Sequence, residues 1–153
     1  MAELNFTGGA KLKAALEELA ERVGEAQTLQ VGFMEGSSYP DGTSVAMVAA
    51  IQNFGAPAAN IPPRPFFSDM VKEKSPTWGS TLGEILVNEN YEAMQAMDGI
   101  GEVISAQLGD SIRDLETPAL APATIAAKGF AKPLIDTGHM LNSIQYSVDG
   151  EVK

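Results

Sequence analysis

The hydrophobic positions at the start of the chain follow first the spacing of a helix and then that of a strand. Leucine or valine stands at positions 12, 16, 19 and 23 with charged residues between them, which predicts an amphipathic helix over 9–23 that ends at Gly24. The stretch 28–34 then alternates apolar and polar side chains, the period of a half-buried strand. Turn-forming residues fill 35–42 and separate this strand from the next element.

A second, short helix is predicted over 43–54. Thr43 or Ser44 can cap its start, and Gly55 can end it, because glycine tolerates the backbone conformation of a helix stop. The large apolar residues of this helix fall on one face, which we expect to pack in the core of the domain. These residues are Val45, Val48, Ile51 and Phe54.

Proline dominates the next segment, 55–67. Each proline fixes φ at about −65° and removes a backbone donor, so the segment can be neither a helix nor a central strand. It is expected to form a stiff, mostly extended arm, which docks either on its own domain or on another subunit. The prolines are Pro57, Pro62, Pro63 and Pro65, the apolar anchors are Ile61, Phe66 and Phe67, and the only charge is Arg64.

The region 68–116 has a helical pattern throughout. Ser68 can cap its start, and Pro76 and Gly79 are expected to interrupt it. From 80 to 115 the apolar stripe predicts one long helix, or two consecutive ones, with a possible kink at Asp98 and Gly99.

The last third of the chain begins with a Pro-rich loop, 117–135, in which Pro122 can start a short helix that Gly129 closes. A helix and a strand are predicted for 136–152, with Asp136 or Thr137 as the helix cap.

Taken together, these elements predict a single domain over 1–153 of the α+β class. Its small antiparallel β-sheet would be packed by an N-terminal helix and long central helices, with an extended Pro-rich arm.

The charge of the chain is strongly negative and unevenly distributed. Ten Lys and Arg stand against 20 Asp and Glu, a net charge of −10 that disfavours direct binding to duplex nucleic acid. Ten of the carboxylates lie between Asp69 and Glu116 with only three basic residues, whereas 117–135 holds two lysines and no acid. This acidic stretch is either a solvated helical face, or a surface complementary to a partner, or an anionic lumen.

The chemistry-bearing residues give little support to catalysis. His139 is the only histidine; Asp136 and Ser143 could share a helical face with it, but no nucleophile elbow or oxyanion loop accompanies them. The chain has no cysteine and no calcium-loop spacing, and no apolar run reaches the roughly 20 residues needed to cross a membrane. We expect no enzyme, cofactor or metal, and no membrane partner. A Pro-Pro-Arg-Pro run leaves open a ligand for an aromatic groove of another protein.

Three stretches in a fixed order resemble the neck and tail-completion proteins of tailed bacteriophages, a family that includes virion morphogenesis and minor tail proteins. The first joins a Phe-Gly pair (Phe54, Gly55) to the box IPPRPFF at 61–67, the second is the Pro-rich loop 118–129, and the third is PLIDTGHMLNSI at 133–144. The likeness runs from about Val31 to Val148. Two departures are Asn53, where the family often has an acidic residue or Gln, and the stretch 74–90, which matches none of its motifs.

The resemblance implies a structural, non-enzymatic subunit at the head–tail junction of a virion, made in the cytoplasm of the bacterial host. Such a subunit would form a ring with its own copies and contact head-completion or connector proteins and tail-terminator or tail-tube proteins. DNA would pass through the lumen without sequence-specific binding. The alternative is an adaptor or inhibitor that binds a host protein through the Pro-rich arm.

The same resemblance marks two groups of site residues. We expect Phe54 to pack in the core, Gly55 to allow a sharp exit, and Phe66 or Phe67 to bury against a neighbouring element. Arg64 would pair with a carboxylate or with backbone carbonyls. In the third stretch, Asp136 and Thr137 would cap a helix, and Gly138 would let another backbone approach. The marked residues are Phe54, Gly55, Ile61, Pro62, Pro63, Arg64, Pro65, Phe66, Phe67, Asp136, Thr137 and Gly138.

Overall fold

The computed structural model describes residues 9–24, 28–129, 133–134 and 138–153. Within these residues, six α-helices and three strands follow one another in mixed order, so the predicted α+β class is confirmed. The helices are α1 (Gly9–Gly24), α2 (Val45–Phe54), α3 (Phe66–Asn88), α4 (Ala93–Asp114), α5 (Pro122–Lys128) and α6 (His139–Asn142). The strands are β1 (Leu29–Gly32), β2 (Gln145–Val148) and β3 (Glu151–Val152), and a 3₁₀ turn spans Pro57–Ala59.

The core lies between α4 and the elements that pack around it. Helix α4 buries a continuous stripe at helical spacing: Ala96, Ile100, Gly101, Ile104, Leu108, Gly109 and Ile112. Helix α3 packs along α4 and adds Phe66 and Met70, while α2 adds Val45 and Ala49. Burial of such side chains is the main stabilising term of the fold, at about 1.5–3 kcal/mol for each large one.

The sheet is antiparallel, with strand order β1-β2-β3, and covers one side of α4. Leu29 pairs with Val148 and Gly32 with Gln145, so the C-terminal strand predicted over 145–148 is confirmed. Gly101 lets α4 lie close to this sheet, because a Cβ there would come within 2.6 Å of the Tyr146 ring.

The break between the two long helices falls at 89–92. Helix α3 runs without interruption through Pro76 and Gly79, so the predicted break there is wrong. Both Pro76 and the residue one turn before it, Lys72, are exposed, and water can reach the backbone oxygen that the proline leaves without a partner. The chain turns instead at Asn90 and Tyr91, which take positive φ values of 52° and 65°.

Helix α1 forms where it was predicted but does not cover the sheet as expected. Leu19 is its only half-buried side chain, and the others of its apolar stripe are exposed: Leu12, Leu16 and Val23. The contact of α1 with the domain runs through Arg22, whose guanidinium donates to the Asn90 backbone oxygen at 3.3 Å and lies 3.8 Å from the Glu92 carboxylate. Helix α1 is therefore held at the start of α4 by its last turn.

The short helix α5 follows the sequence prediction closely, whereas α6 has only four residues and Gly138, not Asp136 or Thr137, stands at its cap position. Pro122 is the first residue of α5, and Gly129 closes the helix in the left-handed conformation with φ of 82°.

Among the described residues, no helix is long and apolar enough to cross a membrane.

Candidate interaction site around the proline-rich segment

The guanidinium of Arg64 is held inside its own chain. It is buried; Nε donates to the backbone oxygen of Pro118 at 3.3 Å, and Nη1 donates to Oε1 of Gln52 at 3.0 Å. The Arg64 backbone N–H also donates to the Gln52 backbone oxygen, at 2.7 Å. Burial lowers the pKa of Arg64, but a guanidinium stays protonated at any ordinary pH. Arg64 therefore docks within its own domain, on α2 and on the loop that follows α4.

The start of α3 is capped by a residue of α2. Asn53 is buried, and its Oδ1 accepts hydrogen bonds from the backbone N–H groups of Phe67 at 3.0 Å and Ser68 at 3.1 Å. Its Nδ2 donates to the Ser68 hydroxyl at 2.7 Å. Pro65, which stands where a capping residue usually lies, makes no side-chain hydrogen bond. The predicted cap at Ser68 is thus wrong: the helix starts two residues earlier and its free N–H groups are satisfied from α2.

Gly55 makes the sharp exit from α2 that was predicted. Its φ is 77°, and a Cβ there would lie 2.9 Å from both the backbone oxygen of Ile61 and the nitrogen of Pro63. Ala56 and Ile61 then exchange two backbone hydrogen bonds of 2.9 and 3.1 Å across a single 3₁₀ turn. Residues 56–61 form a closed loop, and residues 62–65 follow as a short segment that is neither helix nor strand. The expectation of a stiff, mostly extended arm is therefore wrong.

Both phenylalanines of the box pack on their own domain. Phe66 is 1% exposed and lies edge-on to the rings of Phe33, at 6.5 Å, and Phe67, at 6.4 Å. Its backbone oxygen accepts a hydrogen bond of 2.6 Å from the Ser111 hydroxyl of α4. The Phe67 ring lies over Gly32 of β1, where a Cβ would be 3.5 Å away. Among the other residues of the box, Ile61 and Pro65 are half-buried, and Pro62 and Pro63 are exposed.

Phe54 is not in the core, so that expectation is wrong. Its side chain is 74% exposed at the last turn of α2. The buried positions of this helix are Val45, Ala49 and Asn53, which are spaced by four residues. Val45 is buried as expected, but further along the helix the start of α3 approaches α2 at Asn53, so the inner face continues through Ala49 and Asn53 and Phe54 points outward.

The outward face of α2 is apolar and has no cover among the described residues. Met47 is 52% exposed, and Ala50 and Phe54 continue the same stripe at positions three and seven residues later. The helix holds no charged residue. Beside the stripe lies an apolar groove of about 270 Å³, whose lining includes Phe33, Ala46, Ala50, Phe54, Phe66 and Phe67. A helix without charges, exposed on one side beside a groove, is typical of a protein interface.

The second group of predicted site residues is only partly within the described structure. Asp136 and Thr137 lie outside the described residues. Gly138 precedes α6 with φ of 77°, a conformation that favours glycine. Among the described residues, the nearest atom to a Cβ at Gly138 would be Nδ2 of Asn142 at 3.7 Å, so no backbone of that part of the chain approaches it closely. The positive φ is the feature of this structure that favours glycine here.

His139 is occupied by structural contacts. Its Nε2 lies 2.8 Å from the Ser38 backbone oxygen, and its ring centroid lies 4.8 Å from that of Tyr39, with the two rings tilted by 37°. The Ser143 hydroxyl donates to the His139 backbone oxygen at 2.8 Å rather than to its ring. This arrangement holds α6 against the loop before α2, and the histidine and serine are not set up as base and nucleophile.

In the part of the chain that the structure describes, no cluster of three or more possible metal ligands occurs.

Comparison with protein-family models, with curated proteins and with solved structures finds no match to this chain. The function is therefore argued from the residues themselves.

Proposed function

We propose that this chain is a non-enzymatic structural subunit of a tailed-bacteriophage virion. It would lie at the head–tail junction, where its copies form a ring around the DNA channel and join or complete head and tail. The three sequence motifs suggest this class of assembly. The observation that carries the proposal is the uncovered face of α2, because a subunit of an assembly needs an apolar surface that its own fold leaves free.

Burial of the α2 face would contribute substantially to an assembled state. Phe54 and Met47 are both more than half exposed in the isolated chain. Full burial of such a side chain contributes about 1.5–3 kcal/mol, and a contact can add the part that corresponds to the exposed 74% of Phe54 and 52% of Met47. The groove next to them offers room for an apolar side chain of a neighbour, and aromatic residues in such pockets commonly dominate binding.

The charge distribution supports a channel that DNA passes without adhering. Exposed carboxylates occur in the second half of α3, on α4, and just after the end of each of these helices: Glu84, Glu89, Glu102, Asp110, Asp114 and Glu116. A wall of such residues repels phosphates, whereas duplex binding requires cations that release counterions. In the proposed ring, part of this surface faces the lumen.

The Pro-rich segment is a poorer candidate for a contact with a host protein. Its charge, Arg64, and its aromatic residue Phe66 are both buried in the domain. An adaptor that used this segment would have to give up these internal contacts before binding.

The test is complementation of a phage genome that carries this coding sequence. Deleting the gene should leave filled heads and separate tails, and supplying the wild-type chain should restore joined particles, with a ring of this chain at the junction visible by electron cryomicroscopy. Normal particles without the chain, or its absence from purified virions, would show the proposal to be wrong; recovery of a host protein bound to the Pro-rich segment would favour the adaptor.

A point variant separates assembly from folding. Phe54→Ser should change the free energy of unfolding by no more than about 0.5 kcal/mol, because the ring is exposed, yet it should reduce joined particles. The matched control is Val87→Ser, which removes a 56% exposed apolar side chain near the end of α3. Equal particle yields from the two variants would contradict the role of the α2 face.

A further inference from the structure

The exposed first half of α1 presents the apolar side chains of Leu12 and Leu16, which we call the Leu12–Leu16 ridge, with Lys11 and Lys13 beside Leu12. Leu12 and Leu16 are 62% and 55% exposed. Lys11 and Lys13 lie about 100° to either side of Leu12 around the helix axis. Glu17 lies 3.7 Å from Lys13, with both side chains largely exposed, and Glu18 is bonded to Arg22 at 2.7 Å. The start of this helix therefore presents an apolar stripe with a lysine on each side of Leu12, and only Lys13 has a partner, in an exposed ion pair that contributes little.

A groove between α3 and α4 has the opposite pattern. It has a volume of about 510 Å³, and its lining includes the apolar residues Phe66, Met70 and Leu115. Each wall carries two carboxylates: Asp69 and Glu73 on α3, and Asp110 and Asp114 on α4.

Two cations at this groove are already engaged locally. Lys74 bonds to Glu73 at 2.7 Å, which raises the pKa of the lysine, and Arg113 bonds to Asp110 at 2.9 Å. Asp69 and Asp114 form no ion pair with any residue that the structure describes. The groove thus retains negative charge on both walls around an apolar floor.

Helix α1 does not reach this groove in its own chain. Its last turn is held at Glu92 through Arg22, and Asp110 lies 18 residues further along α4, about 27 Å away at 1.5 Å per residue. Leu12 is ten residues from Arg22, about 15 Å along α1. The α1 of the same chain therefore does not fill the groove, which leaves the groove open to the α1 of another copy.

We propose that the Leu12–Leu16 ridge of one copy docks in the α3–α4 groove of the next copy. The apolar crest would cover the floor, and Lys11 and Lys13 would face the carboxylates of the two walls, in particular Asp69 and Asp114. The inference deepens the proposed ring, on which it rests, by naming the two surfaces that meet. Because these surfaces differ, the contact is head-to-tail, the kind that repeats around a ring. Asp110 and Asp114 then serve the subunit contact, which leaves Glu84, Glu89 and Glu102 for the channel wall.

An antiparallel pairing of two α1 helices is the competing use of the ridge. It would require the whole stripe from Leu12 to Val23, but Leu19 is already half-buried and Arg22 is engaged with α4. The groove needs only the free half of α1, and it supplies charge of the opposite sign on both sides.

The test is a charge exchange in the full-length chain, followed by sedimentation velocity over a range of concentrations in low and high salt. The wild-type chain should self-associate in low salt, and added salt should weaken this association. Lys11→Glu with Lys13→Glu should weaken association about tenfold or more, and Asp69→Lys with Asp114→Lys should do the same. All four changes together should restore it to within about threefold of wild type, because the pairs are re-formed with reversed sign and the net charge is again −10.

Mixing the two double variants gives a second readout. Neither variant should associate well alone, but in a mixture the intact α1 of one variant meets the intact groove of the other and the reversed α1 meets the reversed groove, so the mixture should recover species larger than a dimer. The control is Glu84→Lys with Glu89→Lys, which changes the net charge equally but lies outside the groove and should not weaken association.

Several results would overturn the proposal. One is a wild-type chain that stays monomeric at every concentration in low salt. Another is a groove variant that associates as well as wild type while the α1 variant does not, which would indicate pairing of two α1 helices. A third is a four-site variant that fails to recover. Any of these, with the chain still found at the head–tail junction, would refute the contact and leave the proposed function standing.

Discussion

Replacing Asn53 tests whether one helix caps another across the domain. In Asn53→Ala, the backbone N–H groups of Phe67 and Ser68 lose the oxygen that accepts from both of them, at 3.0 and 3.1 Å. A hydrogen bond of this kind contributes about 0.5–1.5 kcal/mol, so the two together predict a loss of about 1–3 kcal/mol in the free energy of unfolding. For a chain of this length, 2 kcal/mol corresponds to a decrease in Tm of about 4–8 °C.

Replacing Asn53 by aspartate tests the accepting oxygen separately from the rest of the amide. Asn53→Asp keeps an oxygen that can accept from both N–H groups and adds a negative charge at a helix N-terminus, which is favourable. Ser68 can rotate its hydroxyl to donate instead of accept, so the loss should be below about 1 kcal/mol at pH 7. The accepted N–H bonds depress the pKa of the new carboxylate in the folded state. Its contribution to stability is therefore present above the unfolded pKa of about 3.9 and is lost as the pH falls through the folded value.

Urea unfolding at pH 7 and at several lower pH values measures both variants. Asn88→Ala is the control, because Asn88 is an exposed α3 amide and its replacement should cost no more than about 0.5 kcal/mol. If Asn53→Ala unfolds at the same urea concentration as Asn88→Ala, the cap contributes nothing. If Asn53→Asp follows the pH dependence of the wild-type chain, the carboxylate does not accept the two N–H groups.

Two further predictions concern the packing of α4 and of Arg64. Gly101→Ala should destabilise the fold by about 1–3 kcal/mol, because its Cβ would meet the Tyr146 ring at 2.6 Å, whereas Gly83→Ala, with no atom within 4 Å, should stabilise it by about 0.5–1 kcal/mol in thermal unfolding. A Gly101→Ala variant as stable as Gly83→Ala would refute the close approach of α4 to the sheet. Arg64→Ala should lower the free energy of unfolding by about 2–4 kcal/mol, because the buried guanidinium donates hydrogen bonds to Pro118 and Gln52. An unchanged Tm would instead indicate that Arg64 contacts a partner.

Local sequence signals predicted the elements that depend on local chemistry. The apolar period gave α1, β1 and β2, and helix stops at Gly55 and Gly129 follow from glycine in positive φ. Pro76 was misleading because its cost in a helix depends on whether solvent reaches the freed carbonyl, which the sequence does not reveal.

The start of α3 and the orientation of α2 depend on contacts between distant parts of the chain. A cap is sought in the residues just before a helix, but here it lies in another helix, 13 residues before Phe66. The signal for it was a pair of polar residues, Gln52 and Asn53, in an otherwise apolar helix. With Asn53 buried, Phe54 points outward, so the predicted apolar face holds at Val45, which is buried, and fails at Phe54.

The two faces of α2 therefore explain why the Pro-rich box alone does not reveal the partner surface. Arg64, Phe66 and Phe67 are used to fix α2 against α3 and the sheet, so substitutions in the box act first on stability. Because α2 is docked in this orientation, two of its large side chains, Met47 and Phe54, remain exposed. A variant of Phe54 that folds normally but does not assemble, beside a variant of Arg64 that does not fold normally, would separate these two roles within a single sequence motif.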